Sequence, residues 1–294
     1  MRNLKRPLYT ETIHLICDSG AFNGGYLYGI LLYIRRLERD KFISVGKISG
    51  SSIGAVMAVA YATHKLEEVY NIYAAVKDVF KDNFSLNGWI EIIHTFILTL
   101  DEDACTHLTD KIFINYFNIT TFTEVVQSKF SSNEDLENAL IYSSFIPYMI
   151  NGSLALNNFI DAGKPHIFPE RTIDDTRILF IKLTQFGKLK KMMHVKCENN
   201  ISERMIEGIL DFHMFYKCGT STTLCSWVNN WSMYEYICYR TRQIITFVIF
   251  MIMFILNKIH FRIPNSIKTH YLYSSIKELS YNIYTDLFVL FYNS

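Results

Sequence analysis

The sequence lacks several features that would assign it to a simple class. Among its 294 residues there are five prolines and six cysteines, and the cysteines are scattered without a Cys-x-x-Cys pair. This spacing offers neither a zinc cage nor a disulfide framework, so we predict free thiols and no metal or other cofactor. Lys and Arg total 29 against 28 Asp and Glu, a net charge of +1. Such a balance provides no basic surface for DNA or RNA, and nucleic acid is not expected as a partner.

The sequence also shows no secretory signal at its N-terminus. Its first 17 residues, MRNLKRPLYTETIHLIC, contain no apolar run of secretory length. We therefore expect an intracellular protein whose functional site faces the cytosol. No internal repeat and no low-complexity linker divides the chain, so domain boundaries must come from changes of pattern.

What is present over residues 12–186 is an alternation of short apolar runs and helical patterns. This alternation predicts an α/β domain with a central, mostly parallel sheet covered by helices. At its start the order strand, turn, helix occurs twice. The predicted strands are 13–17, 45–49 and 177–184, and the predicted helices are 25–39, 53–63, 89–100 and 133–142.

The pattern changes in a C-terminal region, residues 187–294, which we predict to be helical and hydrophobic. Its main feature is the apolar run IITFVIFMIMFIL at 244–256. As a helix, thirteen residues span about 20 Å, less than the roughly 30 Å of a bilayer core. Arg240 and Arg242 precede the run and Lys258 and Arg262 follow it, so basic side chains can snorkel at both ends. An in-plane anchor, a single span and a buried helix all stay open, and the first two attach the chain to a membrane.

The clearest chemical signal is Gly50-Ser51-Ser52-Ile53-Gly54, between a predicted strand and a small-residue helix. A nucleophile elbow needs glycines around the central serine, because the strand must turn sharply into the helix and expose the hydroxyl. Ser52 occupies that central position. The alternative is a turn of small residues without chemistry.

A second signal is the turn at 18–24 (DSGAFNG), which follows the first predicted strand and opens a helix. Its small residues would allow backbone N–H groups to face the oxyanion that develops during acyl transfer. The same turn could equally do no more than connect strand and helix.

Four segments together resemble the patatin-like phospholipases, in the same order along the chain. Residues 18–31 (DSGAFNGGYLYGIL) are similar to the glycine-rich oxyanion loop of that family, and 48–60 (ISGSSIGAVMAVA) to its nucleophile elbow. Residues 143–147 (SSFIP) resemble its Ala-Ser-x-x-x-Pro segment, and 159–163 (FIDAG), with Pro169 after them, its Asp-Gly-Gly/Ala motif. The resemblance implies a three-layer α/β sandwich over residues 12–186 and does not cover the C-terminal region.

The resemblance also implies an activity, that of a serine lipid acyl hydrolase of the phospholipase A or lysophospholipase type. Its substrate would be a membrane phospholipid or an acylglycerol, cleaved through an acyl-enzyme at a membrane surface. Ser52 would be the nucleophile and Asp161 its base, a dyad without histidine. The implied oxyanion donors are the backbone groups of Gly20, Ala21 and Ile53, the implied substrate contacts are Ser19, Asn23 and Gly24, and the remaining motif positions are Gly50, Gly54, Ala162 and Gly163.

Two other functions compete with this one. An α/β-hydrolase of the Ser-Asp-His type would recruit His166, His194 or His213, which all follow Asp161. A patatin-fold membrane protein with impaired catalysis is suggested by the glycine loop, because the family usually has three glycines and then a basic residue. Here Ser19 and Ala21 flank Gly20, and Asn23 stands at the basic position.

Overall fold

The fold is described from a computed structural model, which covers residues 10–83, 85–169, 176–184, 195, 201–262, 275 and 279. Within these residues the chain forms one mixed sheet of seven strands and eight α-helices. The strands are β1 (Glu11–Cys17), β2 (Ile43–Gly50), β3 (Ile112–Asn118), β4 (Thr123–Gln127), β5 (Phe159–Asp161), β6 (Arg177–Ile181) and β7 (Cys225–Trp227). The helices are α1 (Gly24–Arg39), α2 (Ile53–Ala62), α3 (Glu68–Asn83), α4 (Trp89–Leu98), α5 (Ala104–Leu108), α6 (Asn133–Ser143), α7 (Ser202–Cys218) and α8 (Met233–Arg262).

The α/β class is confirmed, and every strand and helix predicted from the pattern is present within three residues of its predicted ends. The sheet order is β4-β3-β2-β1-β6-β7, with β5 paired to β3. Its centre, β3-β2-β1-β6, is parallel, but β4, β5 and β7 pair antiparallel. The expected mostly parallel sheet is therefore corrected to a mixed one. The added strands return beside their neighbours without crossing over the sheet, as β4 does after a short turn from β3.

Apolar side chains cover both faces of this sheet. Successive residues of a strand point to opposite faces, and β1 shows it: Leu15 and Cys17 join the larger buried cluster, whereas Ile16 joins a smaller one. The larger cluster includes side chains of α1, α2 and α6, and the smaller one contains Phe180 and Tyr239. The carboxyl-terminal part of β1, from Leu15 to Cys17, is therefore buried on both faces.

Residues 201–262 pack onto the sheet and helices formed by the described residues before them. β7 pairs with β6, and α7 packs on α1 at glycine contacts. A Cβ added to Gly29 would lie 2.0 Å from the Met205 carbonyl oxygen, and one added to Gly208 would lie 2.1 Å from that of Tyr26. The predicted boundary between residues 186 and 187 lies outside the described residues, and the regions on its two sides share one sheet.

Helix α8 is longer than the apolar run that marked it in the sequence. Ser232 caps it: its Oγ accepts from the Glu235 N–H at 3.3 Å, and its own N–H donates to the Glu235 carboxylate at 2.7 Å. This reciprocal pair is a capping box, which starts the helix eleven residues before the run. The segment Met233–Ile259 is long and apolar enough to cross a membrane, by length and composition.

Candidate active site

Ser52 occupies the sharp turn between β2 and α2 that the motif predicts. Its backbone has φ 56° and ψ −131°, a conformation in which a residue with a side chain is strained. The flanking glycines are sterically required. A Cβ on Gly50 would lie 2.5 Å from the Gly54 carbonyl oxygen, and one on Gly54 would lie 2.3 Å from that of Cys17. The turn is thus a nucleophile elbow in geometry as well as in sequence.

Strand β3 brings Asp161 to this turn. Gly50, at the end of β2, is paired with Ile114, and Asp161, at the end of β5, is paired with Tyr116. Because β4 occupies the other edge of β3 along this stretch, β2 and β5 follow each other along one edge. Two residues of a strand span about 7 Å, so the serine turn and the aspartate emerge as near neighbours although they are distant in the chain.

The segment after α6 fixes both of these residues. The Ser52 N–H donates to the carbonyl oxygen of Ser143 at 3.1 Å and to its Oγ at 3.0 Å. The Asp161 N–H donates to the Phe145 carbonyl oxygen at 3.0 Å. The Ser143 hydroxyl in turn donates to the Asn115 carbonyl oxygen on β3 at 2.7 Å. Residues 143–145, recognised in the sequence as a motif without a stated role, therefore clamp the candidate nucleophile and base together.

The Asp161 carboxylate faces both serines of the turn. Its Oδ1 accepts from the Gly163 N–H at 2.7 Å and from the Ser51 hydroxyl at 3.1 Å. The Ser52 hydroxyl interacts with the same carboxylate and, like that of Ser51, lowers its pKa. Ser52 is thus placed where a carboxylate can take its proton directly.

Burial changes the acidity of that carboxylate. Desolvation raises the pKa of Asp161 to about 6, against the lowering effects of the Gly163 N–H, the two serine hydroxyls and the Arg242 guanidinium. Asp161 is therefore a stronger base than an exposed aspartate and is still ionised near neutral pH. A general base with a pKa close to the working pH is well matched to proton transfer.

The first testable consequence is an acid limb in the pH profile. Asp161 accepts a proton only when it is ionised, so we expect kcat/KM to fall as the pH drops through about 6. The fall should be about tenfold per pH unit below that point. Initial rates on a soluble short-chain ester, followed by chromatography of the released acid, would measure it. A profile that is level down to about pH 4.5 would contradict this role for Asp161.

Two of the three predicted oxyanion donors lie beside the candidate nucleophile. Ala21 and Ile53 line the same cavity as Ser52, and Ile53 is the first residue of α2, where backbone N–H groups are unpaired and the helix dipole is positive. Among the described residues, no hydrogen bond is donated by the backbone N–H groups of Gly20, Ala21 or Ile53. Ala21 holds a φ of 45°, so a residue with a side chain adopts the left-handed backbone that a glycine would take without cost.

The predicted substrate contacts divide into two kinds. Gly24 lines the cavity. Ser19 and Asn23 are buried, and their side chains are engaged within the protein. The Ser19 hydroxyl donates to the Gly163 carbonyl oxygen at 2.7 Å, and the Asn23 amide donates to that of Leu183 at 2.9 Å. The Asn23 side-chain oxygen accepts from the buried Arg204 at 2.8 Å, so a basic residue from α7 lies beside Asn23.

The remaining motif residues, Ala162 and Gly163, shape the loop after Asp161. Ala162 is buried, at 1% exposure. Gly163 has a φ of 66°, in the left-handed region that favours glycine. This conformation turns its N–H toward the Asp161 carboxylate and leaves its carbonyl oxygen to Ser19. The loop therefore links the base to the glycine loop.

Two charged residues of the site were missed from the sequence. Asp18, at the end of β1, is fully buried, and its carboxylate accepts from the N–H groups of Leu183 and Thr184 and from Arg242 of α8. The sequence indicated Arg242 only as a basic residue next to an apolar run. A charged residue on the inward face of an otherwise apolar helix needs a buried partner of opposite charge. That pattern is the signal that could have indicated Arg242 as a site residue.

An apolar cavity opens at Ser52. About 670 Å³ of non-atom space, open solvent included, lies within its lining. Its walls come from α2, α3, α4 and the glycine loop. The apolar side chains that line it include Phe22, Val56, Met57, Ile72, Tyr73, Val76, Leu86, Trp89 and Ile146.

Two of the three histidines of the triad alternative lie among the described residues, and both have other partners. His166 is half-buried beside Phe113 and Phe168, where burial lowers its pKa, and His213 is bonded to the Tyr33 hydroxyl at 2.8 Å. Neither contacts Ser52 or Asp161, and His194 lies outside the described residues. In the described parts of the chain no group of His, Cys, Asp and Glu has the arrangement of a metal site.

Comparison with known proteins does not indicate a function for this site. The chain matches no model of a known protein family, and a search of curated proteins likewise finds no match.

Proposed function

We propose that this protein is a serine lipid acyl hydrolase with a patatin-like three-layer fold. Ser52 attacks an ester carbonyl, Asp161 takes its proton, and water then hydrolyses the acyl-enzyme. The observation that carries the proposal is the backbone of Ser52, φ 56° and ψ −131°, between β2 and α2 with a carboxylate of raised pKa beside it. A strained residue that the surrounding packing enforces is a mark of a functional position.

The cavity supports a lipid substrate. A pocket with apolar walls that ends at the nucleophile can hold a hydrocarbon chain and place its ester carbonyl between Ser52 and the N–H groups of the glycine loop. We therefore infer that the acyl chain of a membrane phospholipid or an acylglycerol occupies it. The protein supplies base and oxyanion donors from its own residues, so the reaction needs no cofactor.

Direct proton transfer to Asp161 is favoured over a Ser-Asp-His triad. In a triad the histidine lies between serine and carboxylate, within hydrogen-bond reach of both. Here Asp161 is occupied by Ser51, Ser52 and Gly163, and the described histidines lie elsewhere. The dyad is thus the mechanism that this geometry supports.

Helix α8 supports a membrane location in the plane of the bilayer. Its inner face is held against the protein: Phe250 packs on Phe117 with ring centroids 5.1 Å apart, and Phe254 packs on Phe122 at 5.0 Å. Its outer face is apolar and solvent-exposed over the same length. That outer face is formed by Ile244, Ile245, Val248, Ile249, Ile252, Ile255 and Ile259.

A helix held along one side exposes the other side in parallel to the protein surface. We therefore propose that the outer face lies in the interfacial layer of an intracellular membrane, on its cytosolic side. Arg240 and Lys258 lie on exposed parts of α8, where they can contact lipid headgroups. This arrangement keeps the catalytic cavity close to its substrate.

Charged substitutions on the outer face should weaken binding to vesicles. We expect the Ile245→Asp and Ile252→Asp double variant to partition into phospholipid vesicles at least about tenfold less than wild type, because two apolar side chains are lost from the interface. Sedimentation with vesicles measures this. The matched control is Ile206→Asp with Leu210→Asp, since these α7 residues are also exposed and apolar. A larger loss in the control than in the α8 variant would contradict the proposed orientation.

The activity itself is tested with purified protein and two readouts. The first is release of fatty acid from vesicles that contain phospholipid, lysophospholipid and diacylglycerol. The second is labelling by a fluorophosphonate, which reacts with activated serine hydroxyls whatever the natural substrate is. We expect both, and a labelled peptide that contains Ser52. Absence of both from folded protein would reject the hydrolase and leave the membrane protein with impaired catalysis.

A further inference from the structure

One side chain of α8 contacts both the glycine loop, residues 18–24, and the aspartate loop, residues 161–163. The guanidinium of Arg242 donates from Nη1 to both carboxylate oxygens of Asp18, each at 2.9 Å. Its Nη2 donates to the Ser19 hydroxyl at 3.0 Å and to the Gly163 carbonyl oxygen. Two of these residues begin the loop of oxyanion donors, and the third follows the candidate base.

The contact between Arg242 and Asp18 is a largely buried ion pair rather than a surface one. The Asp18 side chain is completely buried, and that of Arg242 is 24% exposed. The planar guanidinium contacts Asp18 through one nitrogen and Ser19 and Gly163 through the other, which fixes its orientation as a lysine ammonium would not. Phe250 and Phe254 hold the same helix on Phe117 and Phe122, so the position of Arg242 is set by the packing of α8.

We propose that Arg242 is a positioning residue, which aligns the oxyanion loop and the Asp161 loop about Ser52. It touches neither the nucleophile nor a substrate, and acts through Asp18, Ser19 and Gly163. Helix α8 thereby becomes part of the catalytic apparatus in addition to its contact with lipid. The inference rests on the proposed hydrolase function.

The charge of Arg242 gives this role a signature beyond stability. Arg242 is the one described charged side chain that acts on Asp161, and it lowers the pKa of that carboxyl. The groups that face Arg242 itself are Asp18 at the end of β1 and Tyr239 on α8. Removing the guanidinium should therefore move the acid limb of activity to higher pH.

The experiment compares Arg242→Gln, Arg242→Lys and Arg36→Gln with wild type in soluble-ester hydrolysis over a range of pH. We expect Arg242→Gln to lower kcat/KM about 100-fold through misplacement of the reacting groups, and to move the acid limb to higher pH. Arg242→Lys keeps the charge, so its limb stays at the wild-type pH while the rate recovers only in part. The matched control is Arg36, which forms an exposed ion pair with Asp40 at the end of α1, and Arg36→Gln should match wild type.

The outcomes separate this inference from the function on which it rests. No Ser52-dependent hydrolysis by wild type would reject the hydrolase itself. If wild type is active and Arg242→Gln has the same rate and the same acid limb, the positioning role of Arg242 is rejected and the hydrolase function stands. If Arg242→Gln has a lower rate but the same acid limb, Arg242 makes only a structural contact. Because Arg242→Gln leaves Asp18 buried without its cation, the Asp18→Asn and Arg242→Gln double variant provides the same test in a chain without that charge. In the double variant the limb should still move upward, and an unmoved limb would overturn the inference.

Discussion

Replacing Ser52 by alanine should lower the rate of fatty-acid release by about 10⁴-fold or more. The substitution removes the atom that forms the acyl-enzyme, and no described hydroxyl can take its place with the same backbone. Ser51 is fully buried, whereas Ser52 holds the strained backbone of the turn, φ 56° and ψ −131°, and lines the cavity. Release from mixed vesicles, measured with and without the substitution, gives the effect directly.

The matched control for this experiment is Ser51→Ala. Ser51 donates a hydrogen bond to Asp161 at 3.1 Å, so its loss should reduce the rate modestly, by less than about tenfold, since a single hydrogen bond contributes about 1 kcal/mol. Folding of both variants is checked by thermal unfolding. If Ser51→Ala abolished release and Ser52→Ala did not, the identity of the nucleophile would be wrong.

The serine turn was predictable from sequence because its geometry is local. Five consecutive residues determine it: the glycines are needed where a Cβ would meet backbone atoms at 2.5 Å or less, and the apolar runs on either side predict a strand and a helix. The glycine loop is local in the same sense. Both could be recognised without knowledge of any distant contact.

The approach of Asp161 to that turn was not visible in the pattern. It depends on β5, a strand of three residues, which pairs with β3 along the same edge of β3 that β2 uses. Strands this short carry too few residues for an alternation of apolar and polar positions to stand out. From the sequence, only the resemblance to a family predicted that Asp161 lies near Ser52. The pairing register of the strands explains that proximity physically.

The role of Arg242 was the least predictable, because its partner Asp18 lies 224 residues away in the chain. Composition around residue 242 indicates only a basic residue before an apolar run. The length of α8 was more accessible, since Ser232 and Glu235 form a capping box of the usual spacing. Contacts across the fold, rather than local propensity, decide which charges enter the site.

Replacing Asp161 by asparagine should lower kcat/KM by about 10² to 10⁴-fold, the range expected when a positioned base is lost. The asparagine oxygen can still accept from the Gly163 N–H and the Ser51 hydroxyl, so the loop should keep its shape. His166→Gln and His213→Gln serve as controls and should retain most of the wild-type rate. Equal losses in a histidine variant and in Asp161→Asn would favour a triad instead.

The same substitution should raise stability, which separates loss of the base from loss of the fold. The folded state holds the Asp161 proton more tightly than the unfolded chain does, because burial raises its pKa from 3.8 to about 6. Wild-type stability from this group is therefore greatest below about pH 4 and declines as the pH rises through 6, by up to about 3 kcal/mol. Asparagine carries no charge to desolvate, so denaturant unfolding should show the variant more stable than wild type at pH 8, with a difference that shrinks toward pH 4. An inactive variant that is less stable at pH 8 would mean that Asp161 maintains the structure, whereas an inactive and more stable one fits a carboxylate kept in an unfavourable place for its chemistry.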